Sequence, residues 1–199
     1  MSWELALVAA AYLLGSIPSG LLVVWAKTGK DIRREGSGNV GATNATRIAG
    51  LAAGIPVTAM DVVKGALPMW AMSVLNPASE WLVATMLAAI VGHCFPVWLR
   101  FAGGKGVATA FGAFAVLFPV PALIGLGVWV AVLAVGRWVS LASLAGAAAF
   151  PLVVAILERP GWVMLLGVSV ASALIIVRHH ANIRQLIAGS EPRIGGRGR

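Results

Sequence analysis

Between Gly36 and Arg47 the chain reads Gly36-Ser37-Gly38-Asn39-Val40-Gly41-Ala42-Thr43-Asn44, and the arginine follows three residues later. Glycines let backbone N–H groups approach an anion closely, hydroxyls and carboxamides add donors, and a guanidinium grips phosphate as a fork. Gly36, Gly38, Asn39, Gly41, Thr43, Asn44 and Arg47 are thus candidate oxyanion contacts. Ser37 is the group that could orient, or attack, a carbonyl. The run contains a formal G-x-G-x-x-G, but no strand precedes it, so a dinucleotide site lacks its structural context. The plain alternative is a flexible turn between two apolar runs. A second run, Gly103-Gly104-Lys105-Gly106 with Thr109 behind it, opens an apolar stretch. A helix N-terminus beside a lysine binds anions through unpaired N–H groups and the macrodipole, so Lys105 is a second candidate phosphate contact. The glycine spacing and the missing hydroxyl residue directly after the lysine exclude a Walker A loop. Otherwise Arg100 and Lys105 would simply orient the protein in a bilayer. A third group, His179-His180-Ala181-Asn182 between Arg178 and Arg184, can exchange protons near neutral pH or donate hydrogen bonds. His93, Ser140 and Ser143 complete the polar candidates. Asp61 and Lys64, at i,i+3 on one helix face, form a charge pair that supplies its own partner, which favours a structural role at least as much as a catalytic one.

The elements that must position these residues are membrane spans. Of 199 residues, 59% are hydrophobic and only 11% charged, well outside the composition of soluble globular domains. The single Cys94 excludes an internal disulfide, and no Cys/His cluster has ligand spacing, so neither a metal nor a cofactor is expected. A net charge of +8 would suggest nucleic acid in a soluble chain, but here the basic residues flank apolar runs, and nucleic acid is not expected as a partner. A crossing takes about 20 apolar residues. Spans are expected at Trp3 to Ala26, Ile48 to Leu75, Trp81 to Leu99, Trp138 to Leu157 and Gly161 to Val177. Gly106 to Gly136 is split by Pro119 and Pro121 into two short spans; a re-entrant hairpin there would also fit. The retained first span and the distribution of basic residues give seven crossings, with the N-terminus outside and the C-terminus cytosolic. Thirteen of the fifteen Lys and Arg residues then lie inside. On this topology the Ser37 loop, His93, Lys105, Ser140, Ser143, His179 and Asn182 share the cytosolic side. The expected architecture is all-α: one polytopic seven-helix domain over 1–193, with 194–199 a Gly/Arg-rich disordered tail.

Gly15-Ser16-Ile17-Pro18, Gly36 to Asn44, Asp61-Val62-Val63-Lys64-Gly65, Gly92 to Thr109, Ser140-Leu141-Ala142-Ser143 and His179 through Pro192 resemble, in order, the motifs of the bacterial acyl-phosphate:glycerol-3-phosphate acyltransferases. The resemblance covers nearly the whole chain. It implies a small seven-span enzyme of the bacterial inner membrane that takes acyl phosphate and glycerol 3-phosphate to lysophosphatidic acid, the first step of phospholipid synthesis. Ser37, Lys105, His179 and Asn182 would be catalytic. The remaining loop residues, His93, Gly103, Gly104, Gly106, Thr109, Ser140 and Ser143 would bind substrate. Two positions depart from the pattern: His180 stands where arginine usually follows the histidine, and Ala102 where a basic residue is common. Both remove positive charge beside phosphate sites. An acyl phosphate is already activated, so positioning and electrostatics outweigh the need for a strong nucleophile. Direct attack by the glycerol phosphate hydroxyl is the expected route, and an acyl-enzyme on Ser37 is the competing one. A transporter for an organic anion, with Asp61 and Lys64 in its path, is the alternative from another class. The oligomeric state stays open, and a monomer is compatible with every feature.

Overall fold

The computed structural model describes residues 2–195, all of them helix, turn or loop, with no strand among them. Ten α-helices follow in order: α1 (Trp3–Gly15), α2 (Ser19–Thr28), α3 (Ala42–Ala49), α4 (Leu51–Leu75), α5 (Ser79–Cys94), α6 (Val107–Leu117), α7 (Pro119–Gly136), α8 (Val139–Leu157), α9 (Trp162–Arg178) and α10 (His180–Ile187). Large apolar side chains such as Leu22, Trp25, Ile55, Trp70, Leu123, Leu152 and Trp162 stand exposed along them. In a chain of this composition that surface faces lipid, and helices satisfy every backbone group internally there. The protein is an all-helical, multi-pass membrane protein.

Five helical stretches are long and apolar enough to cross a bilayer, and a sixth is the α9–α10 pair, bent by 56°. The first of the five joins α1 and α2 across a break at Ser16–Pro18. Pro18 has no N–H to give, so the helical ladder is interrupted there; Ser19 N–H turns back to the Ile17 carbonyl at 3.0 Å. The span expected from Ile48 starts later, because Gly50 in the left-handed region (φ 70°) separates the polar helix α3 from α4. The expected break before Pro119 is present, at Phe118. It leaves α6 with 11 residues, about 16 Å at 1.5 Å per residue, short of a hydrocarbon core of about 30 Å.

That break also divides the chain into two compact units, one ending at Leu117 and one starting at Phe118, where the sequence suggests a single domain. In the first unit, helices meet backbone to backbone. A Cβ on Gly15 would stand 2.2 Å from the Ala89 carbonyl oxygen, and one on Gly92 2.2 Å from that of Tyr12, so α1 and α5 touch without side chains between them. Gly65 and Gly112 do the same for α4 and α6, against the carbonyls of Thr109 and Val62. Without a hydrophobic drive between helices in lipid, such close van der Waals contact is the main attraction available. The second unit packs α7, α8, α9 and α10. At the end of the described chain the Ile194 N–H donates to the Arg137 carbonyl at 2.8 Å. Residues 196–199 lie outside the described residues.

Candidate active site

The Gly36–Asn44 run is a built loop. Ile32 and Val40 insert into a buried apolar cluster with Val24, Ala45, Ala53, Val57 and Leu99, which pins both ends of the loop onto α2, α3 and α4. Burying side chains of that size stabilises by about 2 kcal/mol each. Asn44, at 2% exposure, organises the interior. Its Oδ1 accepts the Ser37 N–H at 3.0 Å, and its Nδ2 donates to the carbonyls of Glu35 (3.0 Å), Asn39 (3.0 Å) and Ile32 (3.3 Å). Asn39 Oδ1 accepts the Gly41 N–H at 2.9 Å, an Asx turn that leads into α3. Gly36 and Gly38 adopt φ of 59° and 70°, and a Cβ on Gly36 would lie 2.3 Å from Asn44 Oδ1. These two glycines are therefore conformationally required. Asn44, Asn39, Gly36 and Gly38 shape the loop from within. Ser37, Thr43 and Arg47 are its exposed donors, and neither the Ser37 hydroxyl nor Arg47 has a partner among the described residues. Upstream, the Arg33 side chain grips the Asp31 carboxylate, which also accepts the Arg33 N–H. Together these hold its pKa down at about 2.

The Gly103–Gly106 turn folds back on the end of α5. Gly103 N–H donates to the Cys94 carbonyl (3.2 Å) and Gly104 N–H to that of His93 (3.0 Å). Both glycines are sterically fixed, because a Cβ on Gly103 would stand 2.3 Å from the His93 carbonyl oxygen and one on Gly104 2.1 Å from His93 Nε2. Gly106, at φ 84°, turns the chain into α6 directly after the half-buried Lys105. His93 and Thr109 are both buried, His93 under this turn and Thr109 against Gly65.

Beneath the first unit's polar residues lies a charged network. Asp61, 2% exposed, pairs with Lys64 at 2.8 Å through Oδ1. The same oxygen accepts a short hydrogen bond from the Ser19 hydroxyl, and His93 Nδ1 stands 3.7 Å from it. Lys64 Nζ also donates to the Ile17 carbonyl at 3.0 Å, the same oxygen that accepts the Ser19 N–H at the break.

In the second unit Ser140 and Asn182 meet on one carboxylate: Glu191 Oε1 accepts from Ser140 Oγ at 2.5 Å and from Asn182 Nδ2 at 2.9 Å. Trp138 Nε1 donates to the Glu191 carbonyl at 3.1 Å, and the Arg193 guanidinium lies 4.2 Å over the Trp138 ring, so the segment after α10 is strapped to the start of α8. Ser143 is buried, donating to the Val139 carbonyl and accepting from Trp129 Nε1. His179, 2% exposed, has Nδ1 2.8 Å from the Ile175 carbonyl. A carbonyl only accepts, so Nδ1 carries the proton and Nε2 is the acceptor of the neutral ring. Glu191 escaped the sequence reading: it lies 51 positions from Ser140 and looks like one polar residue in a polar end. Its signals are its place inside the His179–Pro192 motif and the fact that no other acid follows Glu158. No cluster of three or more His, Cys, Asp or Glu suited to a metal occurs among the described residues.

Residues 5–189 match the family model of glycerol-3-phosphate acyltransferase. A glycerol-3-phosphate acyltransferase of Geotalea daltonii is 46% identical over 191 residues, covering 96% of this chain and 97% of that protein. One of Geobacter sulfurreducens is 44% identical with the same coverage. Among solved structures, the glycerol 3-phosphate form of PlsY (YgiH), an integral membrane glycerol 3-phosphate acyltransferase, superposes with a TM-score of 0.93 at 42% identity, covering 98% of this chain and 96% of that one. Its lysophosphatidic acid form gives 0.88 at 40% identity. With a match that runs from the first span to the last described helix, the chain belongs to the glycerol-3-phosphate acyltransferase family.

Proposed function

We propose that this protein transfers a fatty acyl group from acyl phosphate to glycerol 3-phosphate, giving 1-acyl-glycerol 3-phosphate and inorganic phosphate. The observation that carries the reading is the loop wired by Asn44, whose interior is fully used while Ser37, Thr43 and Arg47 are presented outward. Solved relatives carrying glycerol 3-phosphate and lysophosphatidic acid support the acceptor and the product. Arg47 and Lys105 hold phosphate groups. The acceptor hydroxyl attacks the acyl carbonyl, the C–O bond to phosphate breaks, and the electron pair leaves with the phosphate. Ser37 and Asn182 orient hydroxyl or carbonyl groups, and His179 takes the hydroxyl proton at Nε2 or, with the ring protonated, donates from Nε2 to phosphate. In the transporter reading Asp61 and Lys64 line a path, yet both are committed to each other, to Ser19 and to the Ile17 carbonyl.

We further assign seven crossings in the bacterial inner membrane, with the N-terminus outside, the C-terminus cytosolic and the polar residues facing the cytosol. The positive-inside distribution of Lys and Arg supports this. Purified protein incubated with glycerol 3-phosphate and palmitoyl phosphate, with palmitoyl-CoA as parallel donor, tests the reaction. Lysophosphatidic acid forming from the phosphate donor alone is the expected result. Formation from the thioester alone would overturn the donor assignment.

A further inference from the structure

We propose that Asp61 is a positioning residue that sets the register of both phosphate-binding elements of the first unit, the Gly36–Asn44 loop and the Gly103–Gly106 turn; this rests on the reading that those elements bind phosphate.

Two separate lines of contact leave one oxygen, Oδ1. Along the first, Ser19 donates to it, and Ser19 opens α2. The next residue, Gly20, lies so close to the loop that a Cβ there would stand 1.9 Å from the Val40 carbonyl oxygen. Any shift of the start of α2 therefore moves Val40, and with it the loop that presents Ser37. Along the second, His93 Nδ1 faces the carboxylate at 3.7 Å while the other edge of the ring is the surface on which Gly104 rests. Gly104 N–H is bonded to the His93 backbone, and Lys105 is the next residue. Rotation of the imidazole would displace the turn that carries Lys105. Lys64 balances the charge and holds the Ile17 carbonyl across the helix break, so the origin of the first line is fixed as well.

Stability alone does not call for this arrangement. A buried ion pair is generally no more stabilising than well-packed apolar side chains of the same size, and in a bilayer its desolvation cost is larger still. A carboxylate that reaches two different elements at once supplies what a pair of apolar residues cannot, a fixed spacing between them. The expectation is that Asp61 governs activity far more than it governs folding.

The test uses the full chain in detergent or nanodiscs, with Tm, kcat and both KM values measured on each variant, and glycerol 3-phosphate affinity measured by calorimetry in the same preparations. Asp61→Leu with Lys64→Met replaces the pair by apolar side chains; Tm should stay within a few degrees of wild type while kcat/KM falls at least 30-fold. Ser19→Ala and His93→Gln open the two lines separately and leave no charge uncompensated, so they carry the test if the double variant fails to fold. Ser19→Ala should raise the KM that Arg47→Ala raises, and His93→Gln the KM that Lys105→Ala raises. Wild-type kcat and KM in a folded double variant, or the same KM rising in both single variants, would overturn the proposal. Failure of the functional reading shows itself earlier, as wild-type protein that binds glycerol 3-phosphate without acylating it. The positioning role is then decided by the affinities alone, where unchanged Kd in Ser19→Ala and His93→Gln overturns it. Wild-type protein that binds no glycerol 3-phosphate overturns both.

Discussion

At the scale of single residues, Arg47 and Lys105 differ in setting but share a role. Each supplies a charge-assisted contact to phosphate, and losing such a contact at a desolvated site costs about 3 kcal/mol, or roughly 100-fold in rate. Lys105→Ala and Arg47→Ala should each lower acyl transfer at least that much at subsaturating substrate, with elution and Tm unchanged; near-normal activity in either would make that residue an orientation signal only. Ser37 should not become acylated. Its hydroxyl is exposed, and the segment from Lys27 to Arg47 that carries it holds no histidine, whereas a serine nucleophile needs a base. Radiolabelled acyl phosphate supplied without acceptor, followed by intact-protein mass spectrometry, should find no adduct, and Ser37→Ala should keep activity well above background. A stoichiometric adduct on Ser37 that transfers to added glycerol 3-phosphate would sink direct attack. Asp31 gives a pH prediction. Because its folded pKa is depressed from 3.8 to about 2, its contribution is complete above the unfolded value and fades only as pH falls toward the folded one. Across about pH 5 to 9 it stays ionised, so Asp31→Asn should leave the shape of the pH–rate curve unchanged. A shifted limb in that variant would contradict the assignment. The donors of the loop were legible from residue type. That Asn44 spends its carboxamide inward was not, because an asparagine in a glycine-rich run has the same composition whether it faces ligand or backbone.

Among elements, the glycines divide into those that carry packing and those that do not. Gly65 lies against the Thr109 backbone, where an added Cβ would be 1.9 Å from a carbonyl oxygen that cannot rotate away. Gly65→Ala should force α4 and α6 apart at a cost on the order of 1–3 kcal/mol, visible as a lowered Tm and reduced turnover. Gly127, in α7, meets nothing within 4 Å, so Gly127→Ala should hold or slightly raise Tm through helix propensity. Equal effects of the two would refute close backbone packing as the distinction. Proline made one helix break readable, before Pro119. The break at Ser16–Pro18 was hidden inside an otherwise continuous apolar run, since a membrane helix tolerates proline when neighbours satisfy the freed carbonyl. Here Ile17 N–H reaches the Leu14 carbonyl at 3.1 Å, and Lys64, 47 positions from Ile17, donates to the Ile17 carbonyl at the turn itself.

For the whole molecule the testable quantity is orientation. A reporter active in the cytosol should work when fused after Arg34 and fail when fused at Ser79; the reverse would end the proposed topology. Charge and hydropathy sufficed to identify the class, because a bilayer imposes them on every span. The division at Phe118 was not legible, since it depends on which helices touch. The carbonyl contacts of Gly15, Gly92, Gly65 and Gly112 bear on how such a protein ages through evolution and temperature. An interface without side chains has no rotamers to melt, so warming cannot loosen it gradually, and no compensating substitution on the facing helix can accommodate a larger residue. Adaptation to thicker, thinner, colder or hotter membranes is left to the lipid-facing residues, where Trp70, Leu123 and Leu152 can drift without disturbing the helices behind them.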